Sequence, residues 1–138
     1  MSAERWLKTL LRVEGGVTCL ALVAVVMPRA WMAACHEWLG LGAFPEAPIA
    51  EYLARSLSGF YAFFGGLCLV ASSDVRRHAP TVTYLGVAQI VLAPVLLVVD
   101  IGAGLPWYWA AADAPPPALF GAGILALQAG MRVKSQLR

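Results

Sequence analysis

Charge is what this sequence has least of. Asp, Glu, Lys and Arg make up 13% of its 138 residues, about half the share found in soluble domains. So few polar side chains cannot cover a water-facing surface, which argues against a soluble globular fold. Cysteine pairing is missing as well: Cys19, Cys35 and Cys68 show neither a CxxC motif nor a zinc spacing. Cys19 and Cys68 fall inside apolar runs, where a thiol packs as a small hydrophobe, and Cys35 sits in a connecting region. Histidine is limited to His36 and His78, too few for a rich metal site. Walker, Rossmann, HExxH, nucleophile-elbow and zinc patterns are all absent, as is any internal repeat. Nothing here specifies a catalytic residue, a metal, a cofactor or a nucleic-acid partner, and none is expected.

What is there is apolar: 60% of the residues are hydrophobic, and the mean hydropathy is +0.72. A spanning helix needs about 20 mostly apolar residues, and four segments approach or meet that length. They run over about 10–27, 49–73, 81–101 and 117–133. The first ends in Val23-Ala24-Val25-Val26-Met27 before Pro28, and the second becomes purely apolar or small after Arg55. The third is broken only by Gln89 and closed by Asp100, with Pro94 placed to kink it. The expected fold is all-α: an integral membrane four-helix bundle forming a single domain over residues 1–138. A basic start before an apolar run imitates a signal peptide, and Met32-Ala33-Ala34-Cys35 imitates a lipoprotein box. Pro28, Arg29 and Trp31 separate that box from the apolar core, so an uncleaved segment is expected.

Orientation follows from the cations that flank the spans. One side holds Arg5, Lys8, Arg12, Arg76, Arg77, Arg132, Lys134 and Arg138; the other holds Arg29, with Arg55 just inside the second span. This asymmetry predicts that both termini and loop 74–80 face the cytoplasm, with the chain in a bacterial cytoplasmic (inner) membrane. On the outer side, residues 30–41 carry Trp31, Ala34, Cys35, Trp38 and Leu39 at helical spacing, opposite His36 and Glu37. That pattern predicts an amphipathic helix lying in the interface. Trp31, Trp38, Trp107, Tyr108 and Trp109 then form an aromatic belt at the outer face. His36 and His78 fall on opposite faces, so they cannot jointly hold a haem.

Ionisable groups inside spans are expensive and are the first candidates for function or pairing. Arg55 and Asp100 reach similar depth on antiparallel helices, which predicts an ion pair between them, with Glu51 competing for Arg55 at i,i+4. The pair is a structural clamp or, alternatively, an anchor for an anionic lipid or ligand group. Glu14 lies about one turn below the inner surface, where it can snorkel, meet Gln128 or Arg132, or act as a proton-linked carboxylate. Gln89 is expected in a packing role. Ser58, Ala62 and Gly66 recur every four residues, as do Ala122, Ala126 and Gly130. Such stripes mark close helix contacts, inside the bundle or with a partner.

Three stretches resemble a known family: Arg12-Val-Glu-Gly-Gly16 opening the first span, Met27-Pro28 closing it, and Arg55-Ser-Leu-Ser-Gly-Phe-Tyr-Ala-Phe-Phe-Gly65. The layout, over nearly the whole chain, resembles small bacterial four-helix membrane proteins of the DoxX-like kind. That resemblance implies a redox-membrane neighbourhood and brings no catalytic residues. The expected function is a non-catalytic accessory or scaffold subunit that packs against other membrane subunits or itself, among membrane lipids. A lipid- or quinone-binding enzyme with an outer-leaflet site is one alternative. A dimeric proton-coupled transporter, similar to small multidrug transporters and using Glu14, is another.

Overall fold

The computed structural model describes residues 2–136, with side chains through Val133. Arg138 and the side chain of Lys134, both counted among the cations above, lie outside the described residues. Among the described residues all regular structure is helical. The elements are α1 (Ala3–Cys19), α2 (Leu22–Val26), α3 (Arg29–Trp38), α4 (Pro48–Ser73), α5 (Ala79–Gly102), α6 (Trp107–Asp113) and α7 (Pro115–Gln136). Four stretches are long and apolar enough to cross a membrane: Ala3–Val26, Pro48–Ser73, Ala79–Gly102 and Trp107–Val133.

Two boundaries differ from the sequence expectation. Helix α1 starts at Ala3 rather than near Leu10, because the Ser2 hydroxyl accepts the Arg5 N–H at 3.4 Å and caps the first turn. Its early turns are amphipathic, with Leu7 and Leu11 fully buried. At the other end, residues 107–113 form α6 where only a loop was expected. Pro115, Pro116 and Pro117 then occupy the first turn of α7, where the missing N–H groups would have no intrahelical partner anyway. Pro94 sits inside α5, which continues on both sides of it.

The described residues fall into two units, one of residues up to Glu14 and from Cys68 onward, the other Gly15–Leu67. In the first unit, Leu7, Leu11, Cys68, Val82, Leu85 and Ile124 are all 0–1% exposed and form the core. Helices α5 and α7 cross at two glycines: a Cβ on Gly121 would lie 2.6 Å from the Gly86 carbonyl oxygen. Helix α6 packs on both. Helix α5 ends with Gly104 at φ +70, where the Leu105 N–H reaches the Asp100 carbonyl at 3.0 Å and the Gly104 N–H reaches Ile101 at 3.1 Å. That pair of bonds satisfies carbonyls left open at the helix end.

In the second unit, α4 meets the first span at Gly65. A Cβ there would lie 2.5 Å from Thr18 Oγ1 and 2.7 Å from the Gly15 carbonyl oxygen. The first span tightens at this level. Thr18 Oγ1 donates back to the Gly15 carbonyl at 3.3 Å, and N–H groups of residues 20, 21, 23 and 24 bond three residues back. Such back-bonding and i→i−3 bonding break the α-helical ladder, which separates α1 from α2. Most large apolar side chains of α4 stay outside this packing: Tyr52, Phe60 and Phe63 are 63–74% exposed. An apolar surface of that extent fits hydrocarbon rather than water.

Candidate functional site

A densely bonded charged cluster lies in the second unit, where Pro28 stops the first span and leaves carbonyls without helical partners. Arg55 reaches them: Nη1 donates to the Val25 carbonyl, and Nη2 donates to the Met27 carbonyl at 2.9 Å. The same guanidinium bonds Glu51 Oε1 through Nε at 3.1 Å and Nη2 at 2.7 Å. Glu51, one turn away on the same helix, is thus paired with Arg55, as the i,i+4 spacing allows. An i,i+4 pair is brought together by the helix alone, whereas Asp100 belongs to the other unit.

Arg29 joins this knot from the start of α3. Its Nη1 donates to Glu51 Oε2 at 3.4 Å and its Nη2 to the Pro45 carbonyl at 3.0 Å. Its guanidinium carbon lies 5.3 Å from the Phe44 ring centre, a cation–π distance. His36 Nδ1–H donates to the Gly42 carbonyl at 2.8 Å, and its ring meets Phe44 edge-on. The two arginines and one glutamate thus pin the end of the first span, loop 42–45 and the start of α4. Both guanidiniums donate to protein groups of this unit.

In the first unit, spacing along α1 puts Glu14 on the stripe of Leu7 and Leu11, and it is 5% exposed. It does not snorkel. Gln89 of α5 is a polar neighbour of it, itself 5% exposed. The contact is loose, since Gln89 Nε2 has no hydrogen bond of ordinary geometry. Gln128 is engaged elsewhere: its Nε2 donates to the Ala79 carbonyl at 2.8 Å, and its Oε1 accepts from Thr83 Oγ1 at 2.9 Å. These bonds tie α7 to the first turns of α5.

At the far end of α5, Asp100 is 4% exposed and its Oδ2 has no hydrogen-bond partner. Helix α6 carries Asp113 within electrostatic reach of it. Among the described residues no three His, Cys, Asp or Glu side chains gather closely enough to hold a metal ion.

No family model, curated protein or solved structure matches this chain. Its chemistry therefore rests on the residues themselves. The closest approaches fall on Gly65 and Gly121, each beside a member of the small-residue stripes. Ala62 is buried, and its carbonyl accepts from Cys19 Sγ at 3.7 Å, while Ser58 is half-buried. The close approach falls on Gly65; a Cβ on Gly66 would meet nothing within 4 Å. On α7, Ala122 and Ala126 are exposed and a Cβ on Gly130 would stand 3.8 Å from Ala3, whereas Gly121 makes the crossing. Among the aromatic residues, Trp31, Trp38 and Trp107 are 64–85% exposed, Tyr108 is 40% exposed and Trp109 is half-buried.

Sequence reasoning missed the Arg29–Glu51 bond, the Gln128–Thr83 bond and the Gly86–Gly121 crossing. A signal existed for the second: Thr83 and Gln128 are polar positions near the cationic ends of two apolar helices.

Proposed function

We propose that this chain is an integral membrane protein of four spans, acting as a non-catalytic accessory or scaffold subunit of a larger membrane assembly. The membrane is a bacterial cytoplasmic membrane, with loop 74–78 and both ends of the chain on the cytoplasmic side. The distribution of Lys and Arg supports that orientation, and α3, with Trp31 and Trp38 exposed, lies in the outer interface. The resemblance in layout to DoxX-like proteins supports membership of a multi-subunit membrane neighbourhood.

One observation carries the subunit reading. Gly59 and Gly66 are seven residues apart, on one face of α4, and a Cβ on either would meet nothing within 4 Å. Glycine inside a helix costs about 1 kcal/mol relative to alanine, and nothing among the described residues makes use of the space. A helix of another subunit does, by coming close to the bared backbone. Native mass spectrometry after gentle extraction tests this. Wild type should be recovered with other subunits at fixed stoichiometry, and Gly66→Leu should be recovered without them. A wild-type monomer, or a homo-oligomer carrying a small molecule, would overturn the accessory reading.

The burial of Glu14 favours a second reading, a proton-linked carboxylate in a transporter. Glu14→Gln should then abolish proton-coupled uptake in proteoliposomes, and unchanged uptake would remove Glu14 from any mechanism.

A further inference from the structure

At one end of the first unit, the turn between α4 and α5, the last turns of α7 and the start of α1 converge. Val75, Arg76, Ala79, Gln128, Met131 and Arg132 line an open hollow of about 200 Å³ there. That volume is several times the roughly 30 Å³ occupied by a water molecule.

The lining is selective in its chemistry. Arg76 bonds Glu4 Oε2 through Nε at 2.9 Å, which leaves the Nη groups of the fork for another acceptor. Arg132 brings a second guanidinium. Gln128, 5% exposed, spends one Nε2 hydrogen on the Ala79 carbonyl and keeps a second N–H on a side chain that lines the hollow. The nearby acids are committed: Glu4 is paired with Lys8 at 3.1 Å and with Arg76. Asp74 Oδ1 accepts the N–H groups of Arg76 and Arg77, each at 3.1 Å. The start of α5, a helix of 24 residues, adds the positive end of its dipole. Among the described residues, donors line the open hollow and no carboxylate does, which suits a tetrahedral oxyanion. Val75, Ala79 and Met131 supply an apolar margin next to those donors. A free anion has no use for that margin, but a phosphate esterified to glycerol does.

We infer that this hollow binds a phosphate group, carried by the headgroup of an anionic glycerophospholipid. The guanidinium of Arg132, the free fork of Arg76 and the Gln128 amide hold the phosphate oxygens, and Val75 and Met131 receive the glycerol end of the acyl chains. The site is separate from the α4 face proposed for subunit contact, so either reading can fail without the other.

The test uses the purified full chain with phosphatidylglycerol, read by native mass spectrometry as retained lipid. Arg132→Gln leaves the Glu4–Arg76 pair in place and should weaken retention about tenfold, as expected for a lost charge-assisted hydrogen bond. Arg76→Gln combined with Arg132→Gln should weaken it about a hundredfold. Arg77→Gln removes the same charge from the same turn, outside the hollow, and should change retention by less than about threefold. Equal losses for Arg77→Gln and Arg132→Gln would reduce the effect to general surface charge and overturn the site, as would no loss in Arg132→Gln. Inorganic phosphate alone is the second probe. Thermal protection by phosphate in wild type but not in Arg132→Gln, without lipid retention, would overturn the lipid as the source and leave the free anion.

Discussion

The crossing of α5 and α7 makes a prediction whose size can be worked out. Gly121→Ala places a methyl carbon 2.6 Å from the Gly86 carbonyl oxygen, 2.9 Å from Ile90 Cγ1 and 3.2 Å from Gln89 Cβ. Carbon and oxygen tolerate about 3.3 Å at the short end of ordinary contact, so the helices must part by about 0.7 Å. A radial gap of that size forfeits about a quarter to a half of each dispersion contact along the crossing. Overpacking of this kind costs about 1–3 kcal/mol. Alanine returns about 0.5–1 kcal/mol through its better helix propensity, so the net loss is roughly 0.5–2 kcal/mol. Gly16→Ala is the matched control, since a Cβ there meets nothing within 4 Å, and it should be neutral or stabilising. Reversible unfolding of the purified chain in mixed micelles, followed by far-ultraviolet circular dichroism, measures both. A Gly121→Ala protein as stable as Gly16→Ala would refute the close crossing and with it the packing of this unit.

Three further expectations follow from individual contacts. Arg55→Lys should destabilise the protein by about 1–3 kcal/mol in the same assay, because an ammonium cannot serve two carbonyls and Glu51 as a fork does; full stability would show that the carbonyls of Val25 and Met27 do not need it. The Asp74 carboxyl is held below its ordinary range chiefly by the Arg77 N–H, with a further contribution from that of Arg76. Its contribution to stability is therefore present above the ordinary Asp range and is lost as pH falls through the lowered native value. Comparing wild type with Asp74→Ala across acid pH checks the sign, and a difference that grows on acidification would refute it. Cys35 is exposed, Cys68 is buried, and Cys19 is half-buried within the first span with its thiol on the Ala62 carbonyl, so a membrane-impermeant maleimide added to intact cells should modify Cys35 alone. Labelling only after the cells are opened would invert the orientation.

Before any folding is considered, the sequence determines a great deal. Scarce charge and four apolar runs leave helices as the way to satisfy the backbone in hydrocarbon, and four helices of that length are found. Local chemistry was legible too. Pro28 ends the first span, and Glu51 stands one turn from Arg55, close enough that the helix itself pairs them. Two boundaries escaped because their signals are short: one Ser2 cap ahead of α1, and seven residues of α6 in a stretch rich in tryptophan, glycine and proline.

Tertiary structure alone decided which of several small residues carry the close approaches. Gly65 and Gly66 are equivalent in composition, yet they point about 100° apart around the helix axis, and only one faces the first span. The same holds for Gly121 against Ala122 and Ala126. It also decided that Glu14 is enclosed rather than snorkelling, since that depends on Gln89 of a distant helix. Periodicity reports which residues share a face; which face meets a neighbour is settled by how the helices cross.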